Sequence, residues 1–282
     1  MMCSIIKLMS TIPHTGSSKD TTPCVRVVQW NIRINSDACA ISERLREATQ
    51  FPAIVHLQEV SQSAVALISK QLEPDSCAFS LIHRPPGKNE GRNRRMGVAT
   101  LTFRGKIVNA VLVDRAVFPE RTLVTEVEIA GSRVRSLNFH SLTGVDYKKA
   151  KSSNFASIAD YLESCDIDFL CCDANEPKTD SMCEADVEYF DNRDKGSCAA
   201  MVFGAGSRHG LLDSYKTHLR NTGAEVNKSP LATSHLVAGH PRRYDHIFHA
   251  PRWHVMAMSY DYDSAVCASS DHAIVVADFC RT

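Results

Sequence analysis

The chain has 282 residues, 44% hydrophobic and 23% charged, which suits a globular protein with a sizeable core. Lys+Arg and Asp+Glu each number 32, so the formal charge is zero; this excludes global steering toward nucleic acid or anionic membrane, and any such attraction must come from local patches. No apolar run reaches the roughly 18 residues of a transmembrane helix, so stable membrane insertion is not expected.

Residues 1–23 read as a flexible leader. Cys3 to Met9 is apolar but broken by Lys7, and it lacks the charged start and small-residue cleavage site of a signal peptide. Residues 10–23 are rich in Ser, Thr, Pro and Lys. One domain is expected over 24–282. Short runs rich in β-branched residues, bounded by Gly, Pro, Asn or Asp, predict strands at 25–30, 54–60, 78–83, 98–103, 107–113, 122–129, 134–140, 168–172, 244–249, 253–258 and 273–279. Helical spacing appears at Ala38, Ile41, Leu45 and Ala48, at Val65, Ile68 and Leu72 behind Ser61, and at Ala150, Phe155, Ile158 and Leu162. Stretches 87–91 and 183–210 are polar and rich in Gly and charge, and read as surface loops. Many strands and few helices disfavour a doubly wound parallel sheet. They suit an α/β (α+β) sandwich of two packed, mainly antiparallel sheets with helices outside.

The eleven cysteines are scattered, with one adjacent pair, Cys171 and Cys172, and no C-x-x-C or zinc-type spacing. They read as mostly reduced, buried small hydrophobes, which favours a cytosolic compartment.

Polar residues stand repeatedly at the ends of the apolar runs, where burial makes charge costly unless it is paired or bound to metal. The cases are Trp30-Asn31, Gln58-Glu59, Asn138-Phe139-His140, Asp173-Ala174-Asn175, Tyr244-Asp245-His246 and Ser270-Asp271-His272. Taken singly, Asn31 is an ordinary turn residue, His140 a satisfied core or rim histidine, and Asp173-Ala174-Asn175 an Asx-type turn.

Taken together and in this order, the segments VVQWNIR, IVHLQEV, RSLNFHSL, DFLCCDANE, RRYDHIF and SSDHAIVVADF resemble the endonuclease/exonuclease/phosphatase superfamily from Val27 to Phe279. The resemblance implies that family's four-layer fold, two sheets face to face between helices, and metal-dependent hydrolysis of P–O bonds. It implies a Mg2+ or Mn2+ site with Glu59 as principal ligand and Asn31 and Asp271 beside it. It assigns Asp173 to orienting or deprotonating the attacking water and Asn175 to holding that water or a phosphate oxygen. His272 would bind phosphate or act as base, Asp245 would fix its tautomer, and His140 would stabilise phosphate or protonate the leaving group. Oxygen-rich ligands suit such hard cations. Two departures stand out: Cys172 replaces the small residue, usually Gly, before Asp-x-Asn, and Arg33 stands where abasic-site enzymes have a second acid.

Arg121 and Arg243 are the expected substrate contacts, since guanidinium forks match phosphate. The runs Arg92, Arg94, Arg95 and Lys148, Lys149, Lys151 read as solvated faces. The leading expectation is a phosphodiesterase on DNA or RNA. The alternatives are a phosphatase or phospholipase-type esterase on inositol phosphates, sphingomyelin-like lipids or small metabolites; a non-catalytic scaffold with the same fold; and a thiol hydrolase using Cys171 or Cys172. The sequence leaves the oligomeric state open.

Overall fold

The computed structural model describes residues 24–88, 92–143, 148–190, 198–224 and 228–282, so the expected leader and residues 89–91 and 191–197 of the expected loops lie outside it. The first half runs β1 (Cys24–Asn31), α1 (Ala38–Ala48), β2 (Ala53–Val60), α2 (Gln62–Leu72), β3 (Ser76–Phe79), α3 (Ser80–His83), β4 (Gly97–Phe103), β5 (Gly105–Val111), β6 (Thr122–Ile129) and β7 (Ser132–His140). The second runs α4 (Lys148–Ser164), β8 (Phe169–Asp173), α5 (Ala200–Phe203), β9 (Leu212–Asp213), α6 (Ser214–Thr222), β10 (His235–Val237), β11 (His240–Arg242), β12 (Asp245–His249), β13 (Trp253–Asp261), α7 (Tyr262–Cys267) and β14 (Ile274–Arg281).

Two six-stranded sheets form, ordered β13-β14-β1-β2-β4-β3 and β5-β6-β7-β8-β12-β9, with a β10-β11 ribbon apart from them. In each sheet one neighbouring pair is parallel, β1–β2 and β7–β8, and the other pairs are antiparallel. Parallel neighbours need a crossover, which α1 and α4 supply. Asp37 caps α1 by accepting from the Cys39 and Ala40 N–H groups, and Ser61 caps α2 through Ala64.

Three apolar layers hold the sandwich together. Val25, Val27, Ile54, Phe169, Ile247 and Phe279 fill the space between the sheets. Val28, Trp30 and Leu57 pack outward on Ile41 and Leu45 of α1 and Ile68 of α2. Leu137, Phe139 and Leu170 pack outward on Phe155 and Ile158 of α4. A strand buried on both faces reads as a continuous apolar run, which is why β1 and β2 do. The expected two-sheet sandwich flanked by helices is therefore what forms.

Details differ. Stretch 78–83 is not one strand: pairing with β4 ends at Phe79, and α3 begins at Ser80. The Ser80 hydroxyl donates to the Glu120 carbonyl and accepts from the Val98 N–H, anchoring that corner. Within 183–210, α5 forms because Val202 can bury beside Phe155. Helices α6 and α7 escape the pattern because α6 buries only Ser214, Lys216 and Leu219, and α7 spans 6 residues. Among the described free cysteines, only Cys171 and Cys172 are buried; Cys39, Cys77, Cys183 and Cys267 are exposed and Cys280 is disulfide-bonded. The expectation of buried thiols thus holds only where a central strand carries them. No helix of the described residues is long and apolar enough to cross a membrane.

Candidate active site

Strand direction gathers the polar residues. The C-terminal ends of the parallel pairs carry Asn31 and Glu59 on β1–β2, and His140 and Asp173 on β7–β8. Strand β12 enters antiparallel, with Asp245 in register opposite Asp173. Strand β14 runs antiparallel to β1, so Asp271 and His272, just before its start, reach the same end. Along each inward face the residues change from hydrocarbon to polar: Val25, Val27, Gln29, Asn31 on β1; Val134, Ser136, Asn138, His140 on β7; Phe169, Cys171, Asp173 on β8. All the polar members of these rows are nearly inaccessible to water.

Such burial requires partners. The Gln29 amide donates to Gln58 and to Asp245 Oδ1, both at 2.9 Å, and Gln58 donates to Asn138 Oδ1 at 2.7 Å. Asn138 in turn donates to the carbonyls of Leu57 and Ala99. This amide net ties the two sheets together directly beneath the site. Gln58 and Asn138 stand among the polar strand-end residues of the sequence without a role there, and Gln29 is not among them; the signal for all three is an amide within an apolar strand on the inward parity.

Above the net, Asp173 is 1% exposed. Asn31 Nδ2 donates to its Oδ2 at 2.9 Å, and the Asn175 N–H donates to its Oδ1 at 3.0 Å. Burial, with Asp245 adding to it and His272 opposing, pushes the Asp173 carboxyl up to about 7. The His272 Nδ1–H donates to Asp245 Oδ2 at 2.8 Å, and its Nε2 lies 4.0 Å from Asp173. Burial opposes charge on His272, but Asp245 and Asp173 outweigh it and lift the imidazole to about 10, so the ring is held as an imidazolium. Asp245 moves the other way: burial disfavours its charge, yet His272 holds the carboxyl below its usual range.

His140 Nε2 sits 3.6 Å from both Glu59 Oε1 and Asp173 Oδ2, bridging the two strand pairs. Burial, helped by Arg121 and His272, drives its pKa well below the ordinary imidazole range, so this ring stays neutral. Glu59 differs from the others. Its φ is 56° at a register break between Leu57 and Val60, which turns the side chain to the rim, where it remains 23% exposed. One oxygen accepts from the Ile34 N–H at 3.1 Å. A cavity of about 270 Å³ opens beside it, lined by Arg33, Asn35, Ser61 and Leu67.

Two groups have the composition and spacing to hold a cation. The ligand atoms of Asp173, Asp245 and His272 lie within 4.8 Å of one another, as do those of His235, Asp271 and His272. Glu59, the expected principal ligand, belongs to neither and connects through His140. Asp271 lies at the rim, 44% exposed, with Arg33 3.8 Å away. The carboxylates of Asp173, Asp245 and Asp271 fit a bound cation, which would offset negative charge that burial otherwise penalises; His272 could join them as a ligand only as the neutral imidazole.

His235 was not foreseen. Its ring stacks on His272 at 4.2 Å between centroids, and its Nδ1 bonds the Asp271 carbonyl at 2.8 Å. A polar residue in a short ribbon carries no strand-end signal, so the sequence hid it. Arg121 is buried and sits beside the site: it donates to the Ser141 carbonyl, faces the Phe118 ring and acts on His140. Arg243 is placed otherwise. Its guanidinium is 2% exposed and forked onto Asp180 and Asp213, an arrangement that locks β12's entry and leaves the fork engaged by protein carboxylates rather than turned to phosphate. Cys171 and Cys172 face apolar layers and burial drives both thiols well above their usual range, which removes the thiolate a thiol hydrolase needs.

No protein-family model and no curated protein matches this sequence. Solved structures do. The human Nocturnin catalytic domain with bound sulfate aligns over 94% of this chain and 97% of its own, with TM-score 0.62 and 19% identity. Humanized D. rerio TDP2 aligns over 92% of this chain and 99% of its own, with TM-score 0.59 and 13% identity. An endonuclease/exonuclease/phosphatase from Beutenbergia cavernae aligns over 92% of this chain and 72% of its own, with TM-score 0.61 and 18% identity. Over nearly its whole length, the chain has the fold of the endonuclease/exonuclease/phosphatase proteins.

Proposed function

We propose that this chain is a divalent-metal-dependent phosphoesterase that uses Mg2+ or Mn2+ to hydrolyse P–O bonds, with nucleic acid as its substrate class. The observation that carries this reading is the buried Asp173–Asp245–His272 group meeting Asn31, Glu59, His140 and Asn175 at one end of the sandwich. Glu59 would hold the cation from the rim, with Asn31 and Asp271 beside it. When bound there, the ion would supply charge neutralisation for the phosphate oxygens.

The remaining roles follow from the protein's own geometry. Asp173 has both oxygens oriented by amide donors and is raised toward neutrality, so it suits taking the proton of an attacking water. As the water oxygen bonds to phosphorus and the P–O bond to the leaving group breaks, the departing oxygen needs a proton or hydrogen bond. Neutral His140 can give the leaving oxygen a hydrogen bond but no proton; His272, held as an imidazolium by Asp245, carries the proton that the leaving oxygen takes up, directly or through water. Asn175 would steady the water or a non-bridging oxygen.

Nucleic acid as substrate is supported by the similar D. rerio TDP2, whose structure holds a single-strand DNA product. A small phosphorylated metabolite is the second reading, favoured by the formal charge of zero, which gives a polyanion no long-range attraction. A panel of plasmid, single-stranded oligonucleotide, bis-p-nitrophenyl phosphate, inositol phosphates and sphingomyelin, each with Mg2+ or Mn2+, separates them. Metal-dependent cleavage of the nucleic acids is expected. Cleavage confined to the small phosphates selects the second reading, and no cleavage of any phosphoester overturns both.

A further inference from the structure

The lysine run at the start of α4 does not wholly face water: Lys151 is 1% exposed. Burying an ammonium is expensive unless it is paired and fully hydrogen-bonded, so its surroundings need an explanation. The Lys151 Nζ lies 2.8 Å from Oε1 of Glu176, itself 0% exposed, and donates to the Asn175 carbonyl at 2.8 Å. The rings of Phe155 and Phe190 stand 6.0 and 5.5 Å from the ammonium. The other Glu176 oxygen accepts from the Phe190 N–H at 2.9 Å, and His246 Nε2 meets the Glu176 carbonyl at 3.0 Å. Lys151 and His246 thus hold the carbonyls of two successive residues, Asn175 and Glu176.

That peptide matters because Asn175 has φ 51°. A left-handed non-glycine residue persists where its surroundings over-determine it, and asparagine is among the residues that adopt it most readily. In this conformation the Asn175 N–H points at Asp173 Oδ1 and its side-chain amide lies 3.4 Å from Oδ2. The carbonyl that Lys151 grips belongs to the same residue. A purely apolar filling between Phe155 and Phe190 would satisfy packing but would leave that carbonyl without its donor.

We infer that Lys151 is a positioning residue of the hydrolytic centre: its ammonium, neutralised by Glu176, grips the Asn175 carbonyl and so fixes the turn that orients Asn175 and Asp173. This rests on the phosphoesterase reading for its catalytic consequence, but the orienting contact can be measured without turnover.

The test compares Lys151→Met with the double variant Lys151→Met/Glu176→Gln. The single variant strands a buried carboxylate and is expected to lose thermal stability as well as activity. The double variant removes that charge and keeps the acceptor for Phe190, so its melting temperature is expected to recover. Its kcat is expected to stay about tenfold or more below wild type with KM little changed, on the scale of lost orienting contacts. Hydrogen exchange of the Asn175 amide, which donates to Asp173, is expected to be about tenfold or more faster in the double variant. Recovery of kcat together with stability would mean that Lys151 serves the fold alone, and wild-type Asn175 exchange in the double variant would equally overturn the inference. If wild type cleaves no phosphoester while Asn175 exchange still rises, the functional reading fails and the positioning contact stands.

Discussion

The two parallel strand pairs share a plan, strand–helix–strand with polar residues where the strands end, yet they set their acids in different surroundings. On β2 the backbone breaks register and turns Glu59 to the rim, 23% exposed, beside an open cavity. On β8 there is no break, and Asp173 stays 1% exposed between Asn31, Asn175 and two imidazoles. A carboxylate in contact with water carries its charge cheaply and can be reached by a hydrated cation. One sealed from water pays for its charge and is driven toward sharing a proton. In the proposed reading the same chemical group binds metal in one unit and transfers a proton in the other, and the backbone at the strand end makes the difference.

The largest expected effect comes from the buried acid. Asp173→Asn should lower the single-turnover rate by about a thousandfold, the scale of a lost general base, while substrate affinity holds or improves because a negative charge near phosphate is gone. The dissociation constant, single-turnover rate and melting temperature of this variant decide the matter. A melted structure with a modest rate loss would make Asp173 a turn-stabilising residue instead.

The rim acid should respond differently. Glu59→Gln is expected to cost roughly a hundredfold at limiting Mg2+, with part of the loss recovered as Mg2+ rises, because the defect lies in cation affinity. Activity against Mg2+ concentration reads this directly. An Mg2+ dependence identical to wild type would erase the distinction between the two acids.

Smaller again is the effect of the carboxylate behind the imidazolium. Asp245→Asn should slow turnover about tenfold to a hundredfold without exceeding the loss in His272→Ala. The double variant should match His272→Ala, since residues acting as one unit are not additive. Independent, multiplying losses would show that the 2.8 Å contact between them is incidental to the chemistry.

The mildest prediction concerns stability in the layer beneath the site. His56 is fully buried against Thr100, and burial pushes its pKa down to about 3. Below pH ~6.5 the unfolded chain takes up a proton that the native chain refuses, so stability falls as pH drops toward 3, by at most about 1.4 kcal/mol per pH unit. Urea unfolding of His56→Gln at several values between pH 7 and 4 should show a shallower decline than wild type. Parallel declines would mean that His56 is not a source of the acid sensitivity.

Much of this arrangement was legible before any coordinates. Strands buried on both faces announce themselves as apolar runs, and a carboxylate, imidazole or carboxamide at the end of such a run is costly enough to signal a purpose. Asn31, Glu59, His140, Asp173, Asn175, Asp245, Asp271 and His272 all carry that signal. What escaped depends on contacts between segments distant in the chain. Arg243 looked like a phosphate fork, but Asp180 and Asp213 reach it from 63 and 30 residues away. Lys151 looked solvated because its partner Glu176 and the ring of Phe190 lie beyond the next strand. His235 gave no periodic cue, since its part in the site is a ring contact with His272. Stretch 78–83 was misjudged because apolar content alone does not reveal where Ser80 ends the pairing.

These strand ends are proposed to form one metal-dependent hydrolytic centre. Its most direct test is to follow hydrolysis of bis-p-nitrophenyl phosphate by wild-type protein after chelation with EDTA, then on adding back Mg2+ or Mn2+, in parallel with a thiol-alkylated sample. Activity is expected to vanish with chelation, to return with either ion and to be untouched by alkylation. Hydrolysis that survives thorough chelation, or that alkylation abolishes, would contradict the proposal.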